Sequence, residues 1–468
     1  LASTLSGSVD PSVEFTPHPN PTQPYWLLEA GEKHKKYTNF RSTEDLPSSA
    51  RVVIIGAGLT GLSTAYWLTE NGISDIVILD VRGVAEGATG RNGGHLWPYT
   101  EMPTSAEVEK YGPQAVYKRH EFQFNTVRQM IETIKKHNID CDLKLTGGMN
   151  VALSAEENEG FRSYIRQFES LGLHKDSSAS QASSSSSTSG SRTQEAESST
   201  NNSHRYVEES VAKKYTTSPN AKGGIACELA GQVWPAKFVF GLADIVTGER
   251  KVNLQTRTKV TLVKRHWLPV ESNEVVTDRG STFAEHVVYA TNGYTSYLLP
   301  ELRRTIVPTQ GQVLATSPLK LSIPGNTWYD YGYLYMVQRP DGRLILGGCR
   351  NKHPKGESPM IDDSQLEPVV SEALRSFLKS NFPEINQNGS SLIVTHEWTG
   401  IMGFTPDYLP MIGHLRGKQW IAAGYTGYGM PKCFGAGKAI AEMITGKLTQ
   451  AEFVPQYSPA RYYPTAKL

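Results

Sequence analysis

Gly56, Gly58 and Gly61 fall at the spacing G-x-G-x-x-G within RVVIIGAGLTGLSTAYWL, a stretch that begins at Arg51. The chemistry this spacing serves is phosphate binding. The first glycine permits a tight turn, the second lets the backbone approach a pyrophosphate, and the third lets a helix pack closely on a strand. The helix N-terminus then faces the negative charge. A second apolar run, DIVILD, ends in Asp80, nineteen residues after Gly61. A carboxylate at the end of a second strand is placed to accept hydrogen bonds from a ribose hydroxyl. The plainer alternative is a glycine-rich turn with a strand-end aspartate. Strand, glycines, helix and acid in register favour a dinucleotide, with NAD and FAD both open.

The elements that must hold these groups are partly legible. Val52 to Ile55 are four β-branched apolar residues, which predicts a strand buried on both faces. After Asp80 comes VRGVAEGATGRNGGHLWP, where Gly87, Gly90, Gly93 and Gly94 surround Arg91 and Asn92. Such a loop lets backbone N–H groups come close to a ligand. Val116, His120, Phe124, Val127 and Ile131 recur at three- and four-residue intervals, predicting one long helix from about Ala106 to His137. DLKLTGGMNVALS predicts two strands around a Gly-Gly turn, and GQVWPAKFVFGLADIV a helix. KVTLVKR and EHVVYATNGYT predict strands, and YLYMVQRPDGRLILGG a hairpin with Asp-Gly at its tip. The block from WTGIMGFTPDYLPMIG to GYTGYGMPKCFGAGKAIAEMITG carries a glycine-dense loop leading into an amphipathic helix.

Composition sets bounds. The 468 residues suffice for two or more domains. A formal net charge of +1 gives no basic excess for nucleic acid. No apolar run approaches the roughly 20 residues of a membrane helix. Cys141, Cys227, Cys349 and Cys433 are scattered without a C-x-x-C, so neither a metal site nor a redox disulfide is signalled. The first residue is leucine, which suggests a trimmed N-terminus, and residues 1–50 read as an extended arm rich in Pro, Ser and Thr. Residues 175–204 are serine-rich, cannot bury apolar surface and are expected to be a disordered insertion. Sequons occur at Asn201 and Asn388. The ending Ala466-Lys467-Leu468 is of the peroxisomal small-basic-leucine type, which suggests a peroxisomal import receptor as partner and otherwise residence in the cytoplasm.

GATGRNGG, VVYATNGY, DGRLILGG and GYTGYGM…GAGKAIAEMI, in that order, resemble the D-amino-acid oxidase/glycine oxidase (DAO) superfamily of FAD-dependent oxidoreductases, which includes sarcosine oxidases and γ-glutamylputrescine oxidases. The resemblance runs from about Arg51 to Gly446 and favours FAD over NAD. It implies an α/β (α+β two-domain) DAO-type fold. A Rossmann-like FAD-binding domain would be built from residues 51–104, 226–305 and 396–455. A substrate domain with a mixed or antiparallel sheet would comprise 105–225 and 306–395, leaving 456–468 as a tail. It implies that Gly56, Gly58 and Gly61 meet the pyrophosphate and Asp80 the ribose. Arg91, Asn92, Gly93 and Gly94 would lie near the pyrophosphate and flavin, Val260 would hold the adenine, and Gly427, Gly429 and Met430 would line the flavin ring.

The departures from the family concern the substrate. The cysteine that sarcosine oxidases bond to flavin corresponds to Gly400, which rules out that link. The arginine that glycine oxidases use to clamp a carboxylate corresponds to Met402, and the equivalent sarcosine-oxidase lysine to Pro431, with Lys432 one residue off. His95, Lys432 and Tyr428 join Met402 as candidate substrate-side residues, and Lys432, Arg339 or His95 would have to meet a carboxylate from a different direction. The resemblance implies an oxidase of a C–N bond, acting on CH–NH or CH–NH2 groups. It would give an imine that hydrolyses, with dioxygen reduced to hydrogen peroxide. The alternatives are a dehydrogenase with another acceptor and a flavin-binding protein without turnover. A small amine or amino acid is the expected partner, with no nucleic acid and no membrane span.

Overall fold

Val52–Ile55 and Ile76–Leu79 are buried throughout, as strands covered on both faces must be. They pair in parallel at the centre of the first sheet in a computed structural model that describes residues 15–98, 104–171, 204–267, 271–320, 322, 326–355, 359–387 and 392–463. Across that sheet the strands run Met411–Arg416, Gln419–Ala423, Gly280–Tyr289, Ser49–Ile55, Ile76–Leu79 and Asn253–Gln255. All neighbours are parallel except the first pair. Val260–His266 and Ser272–Thr277 hang from Gly280–Tyr289 as an antiparallel meander. Ile76–Leu79 and Gly280–Tyr289 flank Ser49–Ile55 on opposite sides, a strand order that opens a crevice beyond the strands' carboxyl ends.

The helix Leu59–Glu70 packs on this sheet and is crossed by the helix Cys433–Ile444. Gly437 permits the crossing: a Cβ there would meet Thr64 N at 2.6 Å. Ser63 Oγ also donates to Cys433 O at 3.1 Å, so the glycine-rich ends of both helices are tied to each other.

The second sheet runs Val394–Phe404, Val307–Thr316, Leu344–Gly348, Leu334–Gln338, Asn326–Tyr329, Gly148–Ala152, Gly223–Cys227 and His204–Glu208. Its neighbours are antiparallel apart from Asn326–Tyr329 and Gly148–Ala152. The hairpin expected around Asp341-Gly342 is the pairing of Leu334–Gln338 with Leu344–Gly348.

Several local expectations differ from the structure. The helix over 106–137 is two helices, Ser105–Tyr111 and Pro113–Lys136. Gly112, at φ 78°, turns the chain, and Pro113 has no N–H to continue the first helix. Of the two strands around Gly147-Gly148 only the second forms, and Lys144 makes an isolated bridge to Gln232. Residues 25–38 of the supposed arm form the helices Tyr25–Leu28 and Glu32–Thr38, with Trp26 and Tyr37 wholly buried. Composition missed them because a few aromatic anchors outweigh the surrounding polar residues. Strand Val394–Phe404 overlaps the third FAD-binding segment of the sequence reading, yet it belongs to the second sheet through ten paired positions with Val307–Thr316. His204, at the end of the serine-rich stretch, is buried in a strand. In the tail, Gln456 and Tyr457 are buried, and Arg461 pairs with Asp407 at 2.8 Å. The rest of the serine-rich stretch, both sequons and Ala466–Leu468 lie outside the described residues. No helix of the described residues is long and apolar enough to cross a membrane.

Candidate functional site

One continuous cleft follows the carboxyl edge of the parallel strands and passes under the second sheet. Its first part is made by the sequence elements that the glycine spacing predicts. Gly56, Gly58, Leu59 and Thr60 line it where strand turns into helix. Gly56 sits at φ 115°, and a Cβ on it would approach Ala290 O at 2.5 Å, so only glycine fits. Gly61 has another duty: it does not line the cleft, and a Cβ on it would collide with Gly56 O. It sets helix against strand, and the lining at this turn comes from its neighbours.

Asp80 lines the same region. Its carboxylate accepts from Ala57 N at 2.6 Å and from Arg82 N at 2.7 Å, so it also fixes the glycine turn. Burial pushes its pKa up to about 6, with those two N–H groups opposing the rise. Val260 lies in the same lining with Thr258 and Lys259.

The glycine loop after Asp80 forms the middle of the cleft. Asn92 lines it while its Nδ2 donates to Thr89 O at 2.8 Å and its Oδ1 accepts from Gly94 N at 2.8 Å. Gly93 lines it and leaves room for Tyr335, which a Cβ would meet at 2.6 Å. Gly94 does not line it; it is packed against Trp26.

Arg91 contributes to the cleft wall, but its guanidinium is committed elsewhere. Nε donates to Glu86 O at 2.9 Å, and Nη1 donates to Thr399 O at 2.8 Å and to Thr22 Oγ1 at 3.3 Å. Burial lowers its pKa to about 10 despite Asp363 at 3.8 Å. Asp363 also receives Arg82 through two bonds of 2.8 Å. This buried knot draws together four distant chain segments. Gly400 lies directly on Arg91, and a Cβ there would meet Arg91 Cβ at 2.8 Å. The place where relatives carry a flavin-bonded cysteine is thus closed to a side chain by Arg91 itself.

Beyond the loop the wall becomes aromatic. Trp328 and Tyr428 stack with centroids 5.3 Å apart and planes at 12°. His95 meets Trp328 and Tyr335 edge-on at 5.5 and 5.3 Å. Met402 lies alongside: a Cβ on Gly311 would touch its Cε at 3.0 Å, and one on Gly427 would sit 3.6 Å from its Sδ. Gly427, Gly429, Met430 and Pro431 complete this side, with Asn92 Nδ2 3.6 Å from Met430 Sδ. His95 Nε2 is buried without a hydrogen-bond partner in the protein. Burial lowers its pKa to about 4, opposed by the carbonyls of Thr327, Met336 and Gly93, so the ring is neutral at physiological pH.

Two expected cations are placed elsewhere. Lys432 is fully buried and does not line the cleft, its Nζ lying 5.4 Å from the Tyr428 ring centre. Arg339 is paired with Asp142 at 2.8 Å and bonded to Gln232 Oε1 at 3.0 Å, also off the cleft. Besides Arg82 and Lys259, a cation that the sequence reading missed is Arg350. It lines the cleft, stacked over Tyr333 at 4.3 Å and Phe404 at 5.4 Å. It opens the short 3-10 turn Arg350–Lys352 that follows the strand Leu344–Gly348.

The lining suits a flavin dinucleotide. A glycine turn, a helix N-terminus and an acid would serve its diphosphate and ribose, and an aromatic wall with His95 set edge-on against it lies at the far end.

Comparison with known proteins agrees with this geometry. Residues 51–443 match the DAO family model, described as FAD dependent oxidoreductase. Gamma-glutamylputrescine oxidoreductase of Escherichia coli strain K12 is 26% identical over 454 residues, covering 95% of this chain and 93% of that protein. L-proline dehydrogenase of P. horikoshii superposes with a TM-score of 0.69 at 19% identity, covering 89% of this chain and 98% of that one. Glycine oxidase of Geobacillus kaustophilus gives 0.67 at 17%, covering 88% and 98%. At those identities the two structures speak to the fold.

Proposed function

The chain belongs to the DAO family of FAD-dependent oxidoreductases, and from that premise we propose that it oxidises the C–N bond of an amine whose carboxylate, if it has one, lies far from the reacting carbon. FAD supplies the two-electron acceptor for such a reaction. The protein contributes position and electrostatics. The observation that carries the substrate reading is the aromatic wall of Trp328, Tyr335 and Tyr428 beside Met402, with no cation at the Met402 position. A carboxylate buried against Met402 would lack the planar fork that arginine offers, a loss of several kcal/mol. Methionine gives an adaptable apolar surface instead. Arg350, at the Tyr335 end of the lining, is suited to a distant carboxylate.

An amine must be neutral to surrender a hydride, and the surroundings favour that form. Aromatic burial disfavours an ammonium without a counter-charge. His95 stays uncharged, edge-on to Trp328 and Tyr335, and so adds no positive charge to the wall. Tyr428, held flat on Trp328, keeps the wall rigid.

The test compares kcat/KM for D-alanine and sarcosine with that for an N-alkyl or aryl-alkyl amine, with and without a remote carboxylate. The amines are expected to win. A tenfold advantage for either small amino acid would defeat the reading. We further propose dioxygen as the acceptor. Substrate added anaerobically should bleach the yellow flavin, and air should restore the colour with release of hydrogen peroxide. A flavin that stays bleached in air would instead identify a dehydrogenase.

A further inference from the structure

We propose that the N-terminal segment Phe15–Thr22 is part of the FAD site, a strap that closes over the cleft and retains the cofactor. Thr16 and Pro17 line the same cleft as the glycine turn and Asp80, although they precede the nucleotide-binding strand and lie outside the family match. They are not there by loose apposition. On one side Phe15 is buried, with the Arg303 guanidinium 4.5 Å from its ring centre. On the other, Arg82 Nη2 donates to His18 O at 2.7 Å while the same guanidinium holds Asp363.

Thr22 closes the latch. Its N–H donates to Asp363 O at 2.7 Å, and its hydroxyl oxygen accepts from Thr399 N at 2.9 Å and from Arg91 Nη1 at 3.3 Å. Thr16 and Pro17 are therefore pinned at both ends, and two of the pins, Arg82 and Arg91, also wall the cleft. The strap ties to the strand-end loop at Arg82, the glycine loop at Arg91 and the second sheet at Thr399. Pro17, Pro19 and Pro21 stiffen the segment, which lowers the entropy lost when it closes.

A strap across a bound dinucleotide acts mainly on its escape. Interactions formed by the closed strap add to the barrier for release, and each 1.4 kcal/mol slows it about tenfold. Linkage makes the effect reciprocal: if the strap favours bound FAD, bound FAD favours the closed strap by the same factor.

The experiment uses flavin fluorescence, which rises as FAD leaves, on the FAD-loaded full chain and on a chain lacking residues 1–18. That deletion removes Phe15, Thr16 and Pro17 but leaves the Thr22 latch. FAD release is expected to be at least tenfold faster from the shortened chain. Thr22→Val in the full chain should speed release severalfold. Amide hydrogen exchange over residues 15–22 should slow by a similar factor when FAD is added to the FAD-free full chain, a measurement that stands if the deletion prevents folding. Release at the full-chain rate from the shortened protein, or exchange over 15–22 that is indifferent to FAD, would overturn the proposal.

Discussion

Gly58→Ala and Gly61→Ala should fail in different ways, although both remove a glycine from one motif. Gly58 has φ −84° and ψ −170°, a conformation open to alanine. Its new Cβ would meet a single atom, Thr89 Oγ1 at 3.1 Å, the end of a side chain that can shift slightly. Entropy gained by replacing glycine offsets that contact, so stability of the FAD-free protein should stay within about 1 kcal/mol of the parent. The methyl group, however, occupies the approach of the diphosphate to the helix N-terminus. Weakening one or two charge-assisted hydrogen bonds, at roughly 1.5–3 kcal/mol each, lowers FAD affinity by about a hundredfold. Gly61→Ala places its Cβ against the backbone oxygen of Gly56 and within 3.4 Å of Ile54 Cγ2. Backbone cannot rotate away, so the helix must leave the strand, at a cost of about 3 kcal/mol or more. Urea unfolding of the FAD-free variants and fluorescence titration with FAD separate the two. A Gly58→Ala protein that binds FAD within threefold of the parent, or a Gly61→Ala protein of parental stability, would refute this division of labour.

Asp363→Asn should destabilise the protein by about 3–5 kcal/mol, because Arg82 and Arg91 would then be buried without their carboxylate; urea midpoints measure it. His95, whose pKa falls to about 4 on folding from an ordinary 6.5, adds stability that is complete above pH 6.5 and lost as pH falls to 4. Between those limits the parent should lose about 3 kcal/mol relative to His95→Gln, and parallel unfolding curves for the two would remove the imidazole from the account. Asp80, raised to about 6, should bind FAD more weakly once protonated. The dissociation constant is expected to rise as pH drops below 6 in the parent and to stay flat in Asp80→Asn.

Local patterns in the chain were readable, and long-range convergence was not. Val52–Ile55, the glycine spacing and Asp80 act within thirty residues of one another, so the strand–turn–helix could be placed before the structure was known. Gly112-Pro113 is a break with a plain local cause, yet the apolar spacing of Val116 to Ile131 masked it. The family resemblance implied that Arg91 lies near the pyrophosphate and flavin, and it does line the cleft. Its actual partners include Thr399, 308 residues away, and no local pattern announces such a pairing. The aromatic wall was hidden for a similar reason. Trp328 and Tyr335 lie on neighbouring strands, and Tyr428 joins them only when the C-terminal loop folds back between the sheets. Arg350 went unremarked because it begins a short 3-10 turn just past the hairpin, and only packing brings that turn to the cleft.

The central pairing of Ser49–Ile55 with Gly280–Tyr289, and of that strand with Gln419–Ala423, also bears on how the protein is made. During synthesis the nucleotide-binding strand emerges early and must wait for partners encoded much later. The cleft's last walls, Gly400–Met402 and Tyr425–Pro431, come nearly at the end. Such non-local pairings fold slowly and leave apolar strand edges exposed meanwhile. Capture of FAD therefore waits for these segments: ribosome-bound chains halted before Met411 should emerge colourless, and the colour should arrive only once Gln419–Ala423 and Tyr425–Pro431 are in place.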